Sequence, residues 1–312
     1  MKKKWTAIAW TALYMAITFM VQLMLSFAYG MIAFFVAFQS AGRTMDTGAV
    51  QEGIQYAMGL LTKGWMMILI TLLCDMVLMA GFGTWYYFRE RQYPFRPNYK
   101  SAFSLKNIGY IIVMGVLGQY ASNLIATLTG VLIPSAMDSY EDLAQNFDLS
   151  TASPVLMILA VCIVGPIAEE LVFRGMIFGK LRRAFSFWPA AIISGIMFGV
   201  FHMNIMQGVY ASVLGVLLAY VYEKTQTIFG SIFFHIVFNA SSYITDFVNR
   251  GIQSVVPSET VYSAVFYSQR HHSDFACKKN EVQHLTFFPR VDYNKLDMHT
   301  MRKEETEIDR SK

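Results

Sequence analysis

The chain has 312 residues, 55% of them hydrophobic and only 15% charged, with a net charge of +4 and a mean hydropathy of +0.40. That composition excludes an ordinary soluble domain, which carries roughly 25% charged residues. The positive charge is spread along the loops, with no dense basic arm, aromatic RNA-binding motif or zinc-finger spacing, which excludes a nucleic-acid partner. The cysteines Cys74, Cys162 and Cys277 lie far apart, two of them in apolar runs, and make neither a CxxC redox motif nor a disulfide framework.

Taken in chain order, runs with few or no charges cover 5–38, 64–88, 107–134, 153–178, 186–203, 205–222 and 226–248. Each reaches or nears the ~20 residues a helix needs to cross ~30 Å of hydrocarbon. The expected fold is all-α: a polytopic membrane bundle of about seven transmembrane helices, within one, around a buried polar cavity. The first run follows Met1-Lys2-Lys3-Lys4. It is too long for the apolar core of a signal peptide and is taken as a first span. Asp75 stands alone in the second run, where pairing with a neighbour or a hydroxyl is expected ahead of a place in a proton path. Trp85-Tyr86-Tyr87-Phe88 closes that run as an interfacial belt.

Loop charge gives the orientation. Lys2, Lys3 and Lys4 put the N-terminus in the cytoplasm. The loop 39–63 has no basic excess and is external, and 89–106, with Arg89, Arg91, Arg96, Lys100 and Lys106, is cytoplasmic. The acidic loop 135–152 is external, and Lys180, Arg182 and Arg183 return the chain to the cytoplasm. The fifth and sixth runs form a tight hairpin with only Asn204 between them. The setting is a bacterial plasma membrane, with membrane lipid as the surrounding partner. Three regions follow: 1–104 with two spans and a cytoplasmic loop, 105–248 with the remaining spans, and a polar tail over 249–312. An eighth span would return the C-terminus to the cytoplasm, but no run long enough follows 248.

The fourth run breaks its apolar character with Glu169-Glu170-Leu171-Val172-Phe173-Arg174. Ionised groups in hydrocarbon cost several kcal/mol each unless paired, wetted or used, so the cluster is a functional site by default. The fifth run ends Phe198-Gly199-Val200-Phe201-His202, and the seventh carries His235-Ile236-Val237-Phe238-Asn239. Spacing at i and i+4 sets Glu170 beside Arg174 and His235 beside Asn239, each pair on one helix face. At 1.5 Å per residue from the inner boundary, Glu169 lies roughly 18 Å deep, Arg174 10 Å, His202 24 Å, His235 14 Å and Asn239 20 Å. Three helices thus offer polar groups to one slab in mid-bilayer. Gly195-x-x-x-Gly199 and Gly208-x-x-x-Ser212 allow close helix approach, and Gly165-Pro166 is expected to kink the fourth helix just before the carboxylates.

No serine or cysteine stands in a nucleophile motif and HExxH is absent. A carboxylate and an imidazole across a water can act as general base, and a second imidazole with an amide N–H can hold an oxyanion. This points to amide hydrolysis by activated water, with Glu169 and His202 at the water, His235 and Asn239 at the oxyanion, and Glu170 with Arg174 as a structural ion pair. No cofactor is expected. The alternative is zinc held by Glu169, His202 and His235, a ligand count that suits a catalytic zinc site.

Glu-Glu-x-x-x-Arg, Phe-x-x-x-His and His-x-x-x-Asn, in this order on separate spans, resemble the CPBP family of CAAX-processing and bacteriocin-processing intramembrane endopeptidases, also called the Abi family. The resemblance covers roughly 105–248. It implies a catalytic transmembrane domain there, with Glu169 and His202 activating water and His235 and Asn239 stabilising the oxyanion. The family has been described both as metalloprotease and as metal-independent, so the resemblance leaves the metal open. The substrate expected is a peptide or membrane-anchored protein, in CAAX-type, bacteriocin or other peptide processing or in self-immunity. Two other readings stand beside it: a non-catalytic immunity or scaffold relative, and a proton-coupled transporter, the latter lacking inverted repeats.

Overall fold

The structure, a computed structural model, describes residues 2–40, 47–61, 63–90, 103–146 and 152–255. The chain divides into two compact units, Met1–Asn280 and Glu281–Lys312, the second wholly outside the described residues. Most of the expected polar tail and the expected cytoplasmic charges Arg91, Arg96 and Lys100 also lie outside them.

Within the first unit the described elements are helices: α1 (Lys2–Ser40), α2 (Thr47–Leu61), α3 (Gly64–Trp85, with a further π turn Tyr86–Glu90), α4 (Leu105–Leu132), α5 (Pro134–Asn146), α6 (Pro154–Arg182), α7 (Phe187–Phe201), α8 (Ile205–Thr225) and α9 (Ile228–Val255). Backbone N–H and C=O groups cannot be left open in hydrocarbon, so an apolar chain of this kind closes its hydrogen bonds within helices. Among the described residues, six helices are long and apolar enough to cross a membrane. The seventh expected span is the 15-residue α7, which rises only about 22 Å. It ends at Phe201 because the chain reverses through His202, Met203 and Asn204, with Met203 left-handed at φ 54°. The Asn204 side chain then caps α8, its Oδ1 accepting from Gln207 N at 3.1 Å.

Two stretches read as loops contain helices, α2 within 39–63 and α5 within 135–152. Both carry charges that break an apolar run without breaking a helix. The expected close approach of α7 and α8 is present. A Cβ at Gly195 would lie 2.7 Å from Ser212 O, and one at Gly199 would overlap Gly208 O and Ser212 Oγ. A second tight crossing joins α4 to α9, where a Cβ at Gly115 would lie 2.7 Å from Val237 Cγ1.

One end of the bundle gathers the start of α1 with the ends of α3, α6 and α8. Lys180 Nζ lies 5.1 Å from the Trp10 ring and Lys4 Nζ 5.5 Å from the Phe185 ring. Tyr86 and Tyr222 hydroxyls stand 3.4 Å apart. Arg182 clasps Glu223 with both a 3.0 Å Nε–Oε2 and a 2.9 Å Nη2–Oε1 bond. This is the antiparallel order that the alternating loop charges require. The main core fills the middle of the bundle with Phe173, Phe178, Phe198, Leu218 and Phe234. In that core lie a fully buried arginine and glutamate.

Candidate active site

The carboxylates stand in a six-residue α segment, Gly165–Glu170, between two π stretches of α6, Leu159–Val164 and Leu171–Phe178. π turns inside α-helices cluster at functional sites. Here the cause is local. In π register the carbonyl of Val161 would take the N–H of residue 166, which is proline and has none. Asn239 of α9 supplies the donor instead, its Nδ2 lying 2.7 Å from Val161 O. The expected disturbance at Gly165-Pro166 is thus a π segment whose free carbonyl is tied to a neighbouring helix.

The two glutamates divide their work. Glu170 is fully buried. Its Oε1 lies 3.0 Å from Arg174 Nη1 and accepts the Nδ1–H of His235, also at 3.0 Å. Arg174, itself fully buried, also donates from Nη2 to Gly215 O of α8 at 3.2 Å and lies 4.7 Å over the Phe198 ring. The expected ion pair is therefore present and has a further part, since it fixes the orientation of His235. Glu169 is partly exposed, at 22%, and its Oε2 lies 3.6 Å from His235 Nε2. A chain of contacts runs Arg174–Glu170–His235–Glu169 across α6 and α9.

His202 is held through its own helix, its Nδ1–H donating to Phe198 O at 2.7 Å. The Phe198 ring lies edge-on to both imidazoles, 4.9 Å from His202 and 5.8 Å from His235. Both histidines are thus fixed through Nδ1 and keep Nε2 for other work. The direct imidazole neighbour of Glu169 is His235. His202 packs on the same Phe198 ring that His235 meets.

The structure brings Glu169, Glu170, Arg174 and His235 into direct contact, sets His202 on the Phe198 ring that His235 also meets, and places Asn239 on the backbone of α6. Among the described residues no group of three or more His, Cys, Asp or Glu is disposed to hold a metal. His235 has a carboxylate at each ring nitrogen, Glu170 at Nδ1 and Glu169 at Nε2. Two participants escaped the sequence reading. Phe198 was visible only as a motif letter, and the Val161 carbonyl is found only by pairing π register with the proline. The expectation that Asp75 finds a partner is not met for one of its oxygens. Among the described residues Oδ2 makes no hydrogen bond, because the face of α6 it meets carries a glycine rather than a donor.

The architecture and the buried polar chain define a multi-pass helical membrane protein with a carboxylate–imidazole site inside the bundle. Residues 151–241, which hold every element of that site, match the family described as type II CAAX prenyl endopeptidase Rce1-like. A Bacillus subtilis (strain 168) protein named "Putative membrane peptidase YdiL" is 36% identical over 99 residues, covering 32% of this chain and 40% of that protein. The match therefore spans less than half of the relative's own length. No solved structure matches the chain.

Proposed function

We propose that this chain is an intramembrane endopeptidase that hydrolyses an amide bond of a peptide or membrane-anchored protein. The observation that carries the reading is the contact chain Arg174–Glu170–His235–Glu169, buried in mid-bundle beside an imidazole with a free Nε2. With Nδ1–H committed to Phe198 O, neutral His202 offers Nε2 as an acceptor. Glu169 and His202 then take the proton of a water placed between them as its oxygen attacks the carbonyl. The tetrahedral oxyanion is met by His235, in the state where Nε2 also carries hydrogen, and by the second N–H of the Asn239 amide. Glu169 returns the proton to the leaving amine. Glu170 orients His235 through Nδ1 and is itself fixed by Arg174, so neither needs to touch the substrate.

The steps use water alone as co-reactant, and nothing in them depends on a metal. The family and the relative's printed name support peptidase chemistry. Processing of lipidated or bacteriocin-like peptides in a bacterial plasma membrane, with the lysine-rich start of α1 on the cytoplasmic side, is the setting we infer. Purified protein in detergent, given a library of membrane-anchored peptides, tests the reading. Wild type cleaves, and Glu169→Ala and His202→Ala each lose a factor of about 10²–10⁴ in kcat. Full activity in Glu169→Ala refutes it.

A further inference from the structure

Asp75 lies outside every motif of the site. It stands on α3 three residues after Leu72 and three before Leu78, in the stripe that α3 buries, and is 9% exposed. Its Oδ2 has no hydrogen-bond partner among the described residues. That oxygen is aimed at the carboxylate segment of α6, since a Cβ built on Gly165 would lie 3.7 Å from it. Gly165 precedes Glu169 by four residues, one helical turn along the same face. A buried carboxylate oxygen left without a donor costs roughly 1–3 kcal/mol or more. Apart from the weak thiol donor of Cys162, the side chains α6 offers near Gly165 are carboxyls and apolar groups, so the strong donors open to this oxygen from α6 are a carboxyl hydrogen or a water. Two carboxyls that share a site in low dielectric do not both ionise, and one hydrogen between them satisfies both.

We propose that Asp75 is a positioning residue for Glu169. Asp75 Oδ2 and the Glu169 carboxyl share one hydrogen, directly or through one water; that hydrogen rests on Asp75 when Glu169 takes the proton of water, and Glu169 is held facing His235. The catalytic consequence rests on the peptidase reading; the shared proton does not. The test uses dicyclohexylcarbodiimide on the full-length protein in detergent. The reagent adds across a protonated carboxyl to give an O-acylurea that rearranges to the stable N-acylurea. Mass spectrometry of the fragments holding residues 75 and 169 then locates the label.

Wild-type chains carry the label on Asp75 or on Glu169, and not on both. Asp75→Asn changes labelling of Glu169 severalfold, and Asp75→Glu restores the wild-type pattern. Chains labelled at both residues, chains labelled at neither, or Glu169 labelling indifferent to Asp75→Asn each overturn the proposal. The first two readouts use wild type alone and survive poor folding of a variant. In peptide cleavage, Asp75→Asn lowers kcat about tenfold to a hundredfold with KM little changed, as misplacement of a catalytic group does, and Asp75→Glu recovers most of it. If wild type cleaves no peptide, the peptidase reading falls while the labelling still decides the role of Asp75.

Discussion

Arg174 and Glu170 are each 0% exposed, so their pairing offsets a desolvation that neither could bear alone. Glu170→Gln leaves the guanidinium without a counter-charge and weakens the hold on His235. Thermal unfolding in detergent is expected to show a loss of about 3–5 kcal/mol. The double variant Glu170→Leu with Arg174→Met removes both charges at similar volume and is expected to regain most of that stability while remaining inactive. A double variant no more stable than Glu170→Gln would show that the pair contributes through hydrogen bonds rather than charge. Of these contacts, only Glu170–Arg174 was legible in the sequence, because i,i+4 spacing fixes it within one helix. The bond from His235 to Glu170 joins residues 65 apart, and such a distance carries no periodic signal. The motifs marked both residues as important, and helix packing alone decided which carboxylate met which nitrogen.

At the scale of the element, α6 shows why a proline can be kept in a buried helix. Pro166 removes a donor, the π register directs that loss to Val161 O, and Asn239 fills it. The two residues should therefore be energetically coupled. Asn239→Ala alone is expected to cost about 0.5–1.5 kcal/mol through the orphaned carbonyl. In a Pro166→Ala background, where residue 166 has its own N–H, that cost should shrink toward zero in a double-mutant cycle. Equal losses in both backgrounds would deny the link. The α7–α8 crossing makes a separate prediction. Gly199→Val drives a side chain into Gly208 O and Ser212 Oγ and should abolish folded protein in size-exclusion chromatography. Gly81→Ala on α3, with nothing within 4 Å, should leave the elution profile unchanged. The small-residue spacing made that crossing readable in advance. The Gly115–Val237 crossing was not, since Val237 belongs to no small-residue pattern.

For the whole molecule, the alternation of loop charge anticipated which helix ends share a face. The Lys180–Trp10, Tyr86–Tyr222 and Arg182–Glu223 contacts place them there. Single cysteines at Lys4 and Glu223, in a background without native cysteines, should react with a membrane-impermeant maleimide from one side of sealed vesicles. A cysteine at Asn204 should react from the other, and labelling of all three from one side would refute the topology. Span counting worked because hydrocarbon thickness sets a length that composition can be read against. It overstated α7, whose run continued past the turn at Met203, and it passed over α2 and α5, whose charges resemble those of loops. The same ruler applied to α1 gives a different result. Its apolar stretch Lys2–Val36 has 35 residues and is about 52 Å long at 1.5 Å per residue, against ~30 Å of hydrocarbon. Fitting that rod wholly inside the bilayer would demand a lean of more than ~50°, outside the usual 0–40°. α1 therefore lifts its far end, with Met31, Ile32 and Phe35 still 53–61% exposed, into the headgroup layer or beyond, carrying greasy side chains to where lipid tails no longer shelter them.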